Sequence, residues 1–233
     1  MDVLVVDIGG TRVKLGLPAL GTVRRFRSGC QLTPHLLLEE LKQRTEDWRY
    51  DVVSIGYPGA VVRGKPAAEP GNLASGWVGY DFAAAFGRPV RLVNDAILQA
   101  LGAYRAGRML FLGLGTGVAS ALVSEHVLIP LELGSLPHTR GGTVADHLGR
   151  AARKAHGHDA WQADVLEILP PLREAFTADY VVLGGGNGRK VDPLPACTYR
   201  GERHDAFKGG VRLWEEYVEP HDAQPANVWR VVR

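Results

Sequence analysis

The sequence VLVVDIGGTRVKLGL, Val3 to Leu17, places one aspartate, two glycines and a threonine between two apolar, β-branched runs. Val3–Val6 has the pattern of a buried strand and Val13–Leu17 that of a partly amphipathic strand, so the residues between them form a tight turn. Glycines let backbone N–H groups approach an anion without a side chain in the way. The turn is therefore either a phosphate-binding turn or the ordinary turn of a β-hairpin.

A second copy of this pattern, GLGTG at Gly113–Gly117, again places a threonine among glycines between two apolar strands. The repetition favours phosphate binding over coincidence, because two glycine hairpins can hold a polyphosphate from opposite sides of a cleft. The hydroxyls of Thr11 and Thr116 would be further donors. Neither turn is a P-loop, because no GK[ST] follows, and neither is a dinucleotide fingerprint, because each leads into a strand.

Around the first turn, the pattern predicts an α/β unit that ends near residue 107. TVRRFRS, DVVSIGYPG and VRLVND have the composition of strands. TPHLLLEELKQRTEDW has the signals of a helix start, a Thr33 cap followed by Pro34 at the first helical position. A second helix is predicted in AILQALGAYRAG, with Gly107 at its end.

The second half of the chain repeats this organisation. MLFLGLGTGVASALV predicts a strand, a glycine turn and a strand, and YVVLGGG predicts a buried strand that ends in glycines. Thr143–Phe176 is predicted to be mostly helical, punctuated by Pro170 and Pro171. Lys190–His204 is expected to be a loop, and VRLWEEYV a short final helix that packs back on the N-terminal lobe.

Length and composition bound the class of protein. The 233 residues are enough for two lobes, predicted at 1–107 and 108–233, and no flexible linker separates them. A formal net charge of +2 with scattered arginines gives no indication of a nucleic-acid or membrane partner. No apolar run approaches the roughly 20 residues that span a bilayer, and no basic leader precedes the first strand, so a cytoplasmic location is expected. Cys30 and Cys197 are too few for a disulfide framework or a four-thiolate zinc site.

A set of ordered stretches resembles the ROK family of sugar kinases, and especially its short branch, the polyphosphate or ATP glucokinases. These stretches are DIGGTRVKLG, GYPG, PGNLASGW, LVNDA, LGLGTGVASALV, ELG and VLGGG. The resemblance implies an α/β, two-lobed actin-like ATPase fold of ribonuclease H-like, hexokinase type, with a mixed sheet in each lobe. It also implies phosphoryl transfer from ATP or polyphosphate to a hydroxyl of a glucose-like hexose.

The resemblance assigns roles to single residues. Asp95 matches the catalytic aspartate that accepts the proton of the attacking hydroxyl, although an aspartate at a strand end could equally cap the next helix. Asn72 and Asn94 match asparagines that contact the sugar, and both are also common turn residues. Asp7 is expected to hold Mg²⁺ through water, since magnesium at phosphate sites keeps several waters, or else it is a plain turn carboxylate. The expected phosphate-binding residues are Gly9, Gly10, Thr11, Gly115, Thr116 and Gly117.

The clearest departure from the family pattern lies in LELGSLPH. Glu132 and Gly134 match, but Ser135 stands where the family has a histidine that contacts the sugar and in many members ligates a structural zinc. The family's closely spaced cysteines are missing, so no zinc is expected. Glu132 is still expected to touch the sugar, whereas His138 either folds back to replace the lost donor or lies in the loop as an exposed histidine. The loss of a directed donor puts glucose specificity in question.

On the nucleotide side, VLGGGNG matches the turn that approaches adenosine in the family, or is a plain strand-to-helix turn. The expected nucleotide-binding residues are Gly184, Gly185, Gly186 and Asn187. Beyond this turn the resemblance fades. The basic residues of the next segment either follow a polyphosphate chain or, as we favour, are solvated loop charges; they are Arg189, Lys190, Arg200 and Arg203.

The sequence thus predicts a small cytoplasmic sugar kinase that uses Mg²⁺ and either ATP or polyphosphate. The hexose, the preferred donor and a homodimeric state stay open. One alternative is a non-catalytic sugar-binding or sensor protein on the same fold, since the family includes regulators. Those regulators carry an N-terminal helix-turn-helix, which we do not expect here because the sequence starts directly at the first predicted strand. Another is an ATPase or an acyl or pantothenate kinase, against which PGN, ND and ELG together discriminate.

Overall fold

The computed structural model describes residues 1–217, 226–227 and 229–231. They form two compact units. The first unit comprises 1–102 with 206–217 and 226–227, and the second comprises 103–205 with 229–231. Each unit contains one large sheet of mixed strand direction together with helices, so the predicted α/β class is confirmed.

The first unit is built on a five-stranded sheet of order β3-β2-β1-β4-β7. Its elements up to the second unit are β1 (Val3–Ile8), β2 (Arg12–Leu17), β3 (Thr22–Arg27), α1 (Pro34–Arg44), β4 (Val52–Tyr57), β5 (Val61–Val62), β6 (Lys65–Pro66), α2 (Phe82–Phe86), β7 (Val90–Asn94) and α3 (Asp95–Ala103). Strand β2 is antiparallel to its neighbours β1 and β3, whereas β4 is parallel to both β1 and β7. The carboxyl ends of β1, β4 and β7 therefore lie at one edge of the sheet.

The hydrophobic pattern explains this arrangement. All six residues of β1 and of β4 are buried, as continuous apolar runs in a central parallel pair require. In α1 the Thr33 hydroxyl accepts a hydrogen bond from the backbone N–H of Leu36, with Pro34 following, so the predicted cap is present. Leu37 and Leu41, one turn apart, are buried on the inner face of α1.

The second unit has a sheet of order β12-β11-β8-β9-β10-β15. Its elements are β8 (Met109–Leu114), β9 (Val118–Ser124), β10 (Val127–Leu131), α4 (Val144–Leu148), α5 (Arg150–His156), α6 (His158–Ala175), β11 (Tyr180–Gly184), α7 (Gly185–Gly188) and β12 (Thr198–Arg200). After α8 (Asp205–Arg212), the strands β13 (Glu216–Tyr217) and β14 (Ala226–Asn227) pair with each other and β15 (Arg230–Val231) joins β10. Because β8 and β11 are parallel, the second glycine turn and the VLGGG turn lie at the same sheet edge.

Two helix boundaries predicted from the sequence are wrong. The helix predicted to close at Gly107 ends at Ala103, and Gly107 instead takes the left-handed conformation (φ +70°) in the turn before β8. Pro170 and Pro171 do not interrupt the helical region: they lie inside α6, which continues to Ala175. Ile168 and Leu169 are buried directly before the pair, so core packing holds the helix together where propensity alone would end it.

Two predictions near the C-terminus are also wrong. The segment predicted as a loop, Lys190–His204, contains β12, which extends the sheet beside β11. The helix in this region, α8, begins earlier and ends at Arg212, so only Val211 and Arg212 of the predicted helix VRLWEEYV are helical; Val218 lies outside the described residues. Gly209 lowers the helix propensity of this segment, which hides the helix from sequence-based prediction. The glycine lets α8 approach α3 closely, because a Cβ there would lie 1.8 Å from the Leu98 carbonyl oxygen.

Within the described part of the chain, no helix combines the length and the apolar character needed to cross a bilayer.

Candidate active site

The carboxyl edge of the first unit's sheet collects several of the predicted site residues. Asp7 pairs with Gly56 across β1 and β4, and Gly56 pairs with Val93 across β4 and β7. Neighbouring strands are about 4.8 Å apart, so the backbones of Asp7 and Asn94 are separated by about 10 Å. Site residues from distant parts of the sequence thus meet at this edge because the three strands are parallel.

Asp7 is paired with a cation that the sequence interpretation did not include. The Lys14 Nζ lies 2.7 Å from Asp7 Oδ2, since the two residues are directly opposite in the β1–β2 ladder. Asp7 is 2% exposed, whereas Lys14 is open to solvent at the edge of the pair. The contact with Lys14 orients the buried Asp7 carboxylate and leaves its Oδ1 without a cationic partner among the described residues.

The first glycine turn presents backbone donors. The Gly9 N–H donates to the Arg12 carbonyl (3.1 Å), and the Gly9 carbonyl accepts from the Ser28 hydroxyl (2.6 Å). The N–H groups of Gly10 and Thr11, which follow, have no hydrogen-bond partner among the described residues. Two consecutive N–H groups without a partner can donate hydrogen bonds to an anion.

Asn72 lies against this turn. A Cβ built on Gly10 would be 3.2 Å from Asn72 Nδ2, so the predicted sugar-contacting residue and the predicted phosphate turn are neighbours within the first unit. Asn72 itself is exposed, which leaves its amide accessible to a ligand.

The loop that carries Asn72 is held by two residues that sequence reasoning missed. The Glu69 carboxylate accepts hydrogen bonds from the backbone N–H groups of Gly76, Trp77 and Val78 at 3.1, 3.1 and 3.2 Å. Desolvation raises the pKa of Glu69, but these bonds outweigh it and hold the pKa below its ordinary value. The Tyr57 hydroxyl donates to the Ala68 carbonyl (2.8 Å), and burial raises the pKa of that phenol. In the sequence, the available signal for a residue that holds this loop was the acidic Glu69 directly before the Gly- and Ser-containing stretch PGNLASG.

Asn94 and Asp95 occupy the junction between β7 and α3. Asn94 Oδ1 accepts from the Ala96 N–H (2.9 Å) and its Nδ2 donates to the Gly59 carbonyl (3.0 Å). Asn94 therefore supplies the capping oxygen of α3. Asp95 is the half-buried first residue of the helix.

The second glycine turn repeats the backbone arrangement of the first. The Gly115 N–H donates to the Gly117 carbonyl (3.0 Å), and the N–H groups of Thr116 and Gly117 have no partner in the described part of the chain. The Thr116 side chain is exposed, as is that of Thr11 in the first turn. Each unit therefore offers two consecutive backbone donors beside a threonine hydroxyl.

The VLGGG turn lies next to this second turn, because Gly184 pairs with Gly113 across β11 and β8. Packing explains two of its glycines: a Cβ on Gly184 would meet the Phe111 ring, and one on Gly185 would meet the Leu114 carbonyl. Gly186 faces open space and is exposed. Asn187 is 5% exposed and accepts from Arg153 Nε (3.1 Å) through Oδ1, while its Nδ2 has no partner among the described residues.

The ELGSLPH segment follows β10. Gly134 packs on β9, where a Cβ would lie 2.8 Å from the Val118 carbonyl, and Glu132 and Ser135 are exposed. His138 is half-buried: its ring stacks on His147 with centroids 4.0 Å apart, and its Nδ1 accepts from the Arg140 N–H (3.3 Å). The imidazole is thus engaged with Arg140 of its own loop and with His147 of α4.

The basic residues after the VLGGG turn differ in their surroundings. All four, Arg189, Lys190, Arg200 and Arg203, are exposed, and Arg200 in addition donates to the Val191 carbonyl (2.6 Å) and pairs with Asp192 (3.0 Å). Among the residues that the structure describes, no cluster of three or more His, Cys, Asp or Glu side chains is placed to hold a metal ion.

Comparisons with known proteins found one similar group of sequences and a set of similar structures. No protein-family profile matches the chain. The chain is 27% identical to the polyphosphate glucokinase of Mycobacterium tuberculosis over 213 residues, an alignment that covers 80% of this chain and 78% of the relative.

Solved structures share the fold. The inorganic polyphosphate/ATP-glucomannokinase from Arthrobacter sp. strain KM has a TM-score of 0.77 at 24% identity, covering 90% of this chain and 96% of that one. A ROK family glucokinase from Streptomyces griseus, in complex with glucose and AMPPNP, has a TM-score of 0.69 at 16% identity, covering 91% and 99%. The two-lobed actin-like fold class predicted from the sequence is confirmed by these structures.

Proposed function

We propose that this chain, whose resemblance to the ROK family of sugar kinases the comparisons confirm, transfers a phosphoryl group from ATP or polyphosphate to a hydroxyl of a hexose. One structural observation supports the proposal independently of the similarity to known kinases. Each of the two units contains a glycine turn with two consecutive N–H groups that have no partner among the described residues, Gly10 and Thr11 in one and Thr116 and Gly117 in the other. Backbone donors of this kind suit the oxygens of a phosphate chain.

Asp95 is the proposed general base. The attacking sugar hydroxyl gives its proton to the Asp95 carboxylate while its oxygen forms a bond to the terminal phosphorus of the donor. The bond from that phosphorus to the bridging oxygen breaks, which yields a sugar phosphate and ADP or a polyphosphate shortened by one unit. Asn94 Oδ1 caps α3 through the Ala96 N–H, so this capping bond does not depend on the residue proposed as the base.

Asn72 and Asn94 are the proposed sugar contacts in the first unit, with Glu132 and His138 as the proposed contacts in the second. The exposed amide of Asn72 suits this role best. Asn94 is held by two backbone hydrogen bonds, which orient the one Nδ2 hydrogen that those bonds leave for a ligand. His138 would have to leave its stacked position on His147 to reach a sugar.

Mg²⁺ fits the residues present. Asp7 offers a buried, oriented carboxylate of the hard oxygen type that magnesium prefers, and Lys14 engages only its Oδ2. A single carboxylate suits an ion that takes its other ligands from water and donor phosphates. When bound, the ion would neutralise phosphate charge, and Asp7 would hold it through water.

The sensor alternative is not favoured, because both glycine turns and Asp95 are present and the curated relative is an enzyme. A cytoplasmic location, a homodimer and the absence of a nucleic-acid partner remain proposals.

The test is a panel of hexoses, glucose and mannose first, offered to the purified chain with ATP or polyphosphate and Mg²⁺. Formation of sugar phosphate is measured together with donor consumption. We expect at least one hexose to be phosphorylated. Donor hydrolysis without sugar phosphate would favour an ATPase, and sugar binding without turnover would favour the sensor.

A further inference from the structure

We propose that Arg153 binds a phosphate group of the phosphoryl donor and that the buried amide of Asn187 positions its guanidinium for this contact. The inference rests on the proposed function and deepens it, since it adds a side-chain cation to a donor site otherwise made of backbone and hydroxyl groups.

Helix α5, which carries Arg153, begins at the second glycine turn. The Arg150 N–H donates to the Gly115 carbonyl (3.0 Å), and a Cβ on Gly149 would lie 2.9 Å from the Thr116 carbonyl oxygen. Arg153 follows three residues after Arg150, on the same side of the helix. The arginine therefore stands directly beyond the turn that is proposed to bind phosphate.

A hydrogen bond ties Arg153 to the second ligand-facing turn of the same unit. Its Nε donates to Asn187 Oδ1 (3.1 Å), and Asn187 follows the exposed Gly186. This bond uses one guanidinium nitrogen and fixes the plane of the group, while the two terminal nitrogens remain for an anion. A planar fork of donors with a permanent positive charge matches the geometry of phosphate oxygens.

The charge of Arg153 is not balanced within the described part of the chain. Arg153 is half-buried, yet the ion pairs among the described residues include none with this arginine. Arg200 and Arg140, in contrast, each pair with an aspartate. A partly buried cation without a carboxylate is the arrangement expected where a ligand brings the negative charge.

Asn187 supplies a second, independent indication of a ligand. It is 95% buried by its 5% exposure, and its Nδ2 has no partner among the described residues. An unpaired buried donor in a native structure requires an explanation such as a ligand or an ordered water. Here the unpaired donor belongs to the side chain that orients Arg153.

Three glycines of these two turns also indicate that a ligand binds here. A Cβ on Gly115, Gly117 or Gly186 would meet nothing within 4 Å, and none of the three takes a left-handed φ. Neither packing nor backbone conformation requires glycine at these positions, although glycine costs conformational entropy. Close approach of a ligand to the backbone explains all three.

The test uses Arg153→Gln and Arg153→Lys in the full chain, with Lys154→Gln as the matched control. Lys154 is the next residue and exposed, so its replacement removes the same charge from the same helix. Donor KM is measured at saturating sugar and sugar KM at saturating donor, separately for ATP and polyphosphate. We expect Arg153→Gln to raise donor KM about 10- to 100-fold, as loss of a charged hydrogen bond would, and to leave sugar KM within twofold.

The remaining variants distinguish a loss of donor binding from a general disruption of the structure. Arg153→Lys should recover part of the donor affinity, because it keeps the charge and loses the fork, and Asn187→Ala should raise donor KM by a smaller factor than Arg153→Gln. Lys154→Gln should match the wild type. If the effect appears with polyphosphate alone, Arg153 binds units of a long chain; if it appears with both donors, it binds a phosphate that they share.

An unchanged donor KM in Arg153→Gln would overturn the proposal, as would an equal rise in donor and sugar KM. A direct measurement keeps the test independent of turnover: calorimetric binding of inorganic tripolyphosphate to wild type, Arg153→Gln and Lys154→Gln. If the wild type phosphorylates no sugar, the proposed function fails. In that case weaker tripolyphosphate binding in Arg153→Gln alone would still support the arginine site, and equal binding in all three would overturn it.

Discussion

Gly10 lies against the side chain of Asn72: a Cβ on the glycine would be 3.2 Å from the asparagine Nδ2. The proposed phosphate turn and the proposed sugar-contact residue are therefore in contact within the first unit. The equivalent glycine of the second unit, Gly115, has no such neighbour within 4 Å. Both turns have two consecutive N–H groups without a partner among the described residues. A side chain added at Gly10 would press on Asn72, whereas one added at Gly115 would meet no atom within 4 Å.

This difference gives the first prediction. Gly115→Ala should raise donor KM about tenfold, equivalent to about 1.4 kcal/mol, and leave sugar KM unchanged, because the added methyl occupies only ligand space. Gly10→Ala should raise both constants, since the methyl also presses on Asn72. Steady-state kinetics with each substrate varied in turn decides the matter. A rise in sugar KM with Gly115→Ala, or in donor KM alone with Gly10→Ala, would contradict the assignment.

Glu69 predicts a pH dependence of stability. Its three backbone hydrogen bonds lower its pKa from an ordinary value of 4.5, so the loop is stabilised fully above that value and loses the contribution as pH falls through the lowered pKa. Glu69→Gln should therefore unfold more easily than the wild type at pH 7. The difference should shrink as the pH falls from 4.5 through the lowered pKa, because Glu69 then becomes neutral as glutamine is at every pH.

Urea unfolding of both proteins between pH 3 and pH 7 measures this, with sugar KM at pH 7 as the functional readout. Glu39→Gln, on the exposed part of α1, is a suitable control for a lost carboxylate. Equal stability of Glu69→Gln and wild type at pH 7, or a difference that grows in acid, would show that the carboxylate does not hold the Asn72 loop.

Sequence motifs predicted those parts of the site that are encoded locally. The two glycine turns and the β7–α3 junction with Asp95 each lie within a few consecutive residues, and the strand-turn-strand pattern around them is visible in the alternation of apolar runs. Glu69 was missed because its partners are backbone N–H groups seven to nine residues away. Such contacts have no residue-type signature.

Long-range packing explains the remaining errors. The bond from Arg153 to Asn187 joins residues 34 positions apart, and nothing in RAARKAH distinguishes the arginine that makes it. The helix α8 was displaced in the prediction because Gly209 and Gly210 weaken local helix propensity. They are there because α8 lies close to Leu98 and Val5.

Magnesium gives the third prediction. Asp7→Asn keeps the size of the side chain but removes its charge, so we expect about tenfold more Mg²⁺ to be needed for half-maximal turnover, and EDTA to abolish turnover of the wild type. Elemental analysis of the purified chain should find no stoichiometric zinc. Turnover that persists in EDTA, or one zinc per chain, would contradict this prediction.

Ser135 gives the fourth prediction, which concerns sugar selectivity. A serine hydroxyl is shorter than an imidazole and leaves a water or a neighbouring side chain to complete the hydrogen bonds to a sugar. We expect weak discrimination among hexoses that differ near the anomeric carbon, and we expect Ser135→His to raise selectivity for glucose over its 2-position analogues. The ratios of kcat/KM for glucose and 2-deoxyglucose measure this. High glucose selectivity in the wild type that Ser135→Ala leaves unchanged would show that this position does not contact the sugar.

Asp95 gives the fifth and most direct prediction. Asp95→Asn removes the proton acceptor, while Asn94 retains the capping bond to Ala96, so the variant should fold normally. Its kcat for sugar phosphate formation should fall by about 10²-fold or more, with sugar and donor KM changed little. Unaltered thermal unfolding would establish that the fold is intact. Near-normal kcat in a folded Asp95→Asn variant would contradict the assignment of the base, and with it the catalytic account of this site.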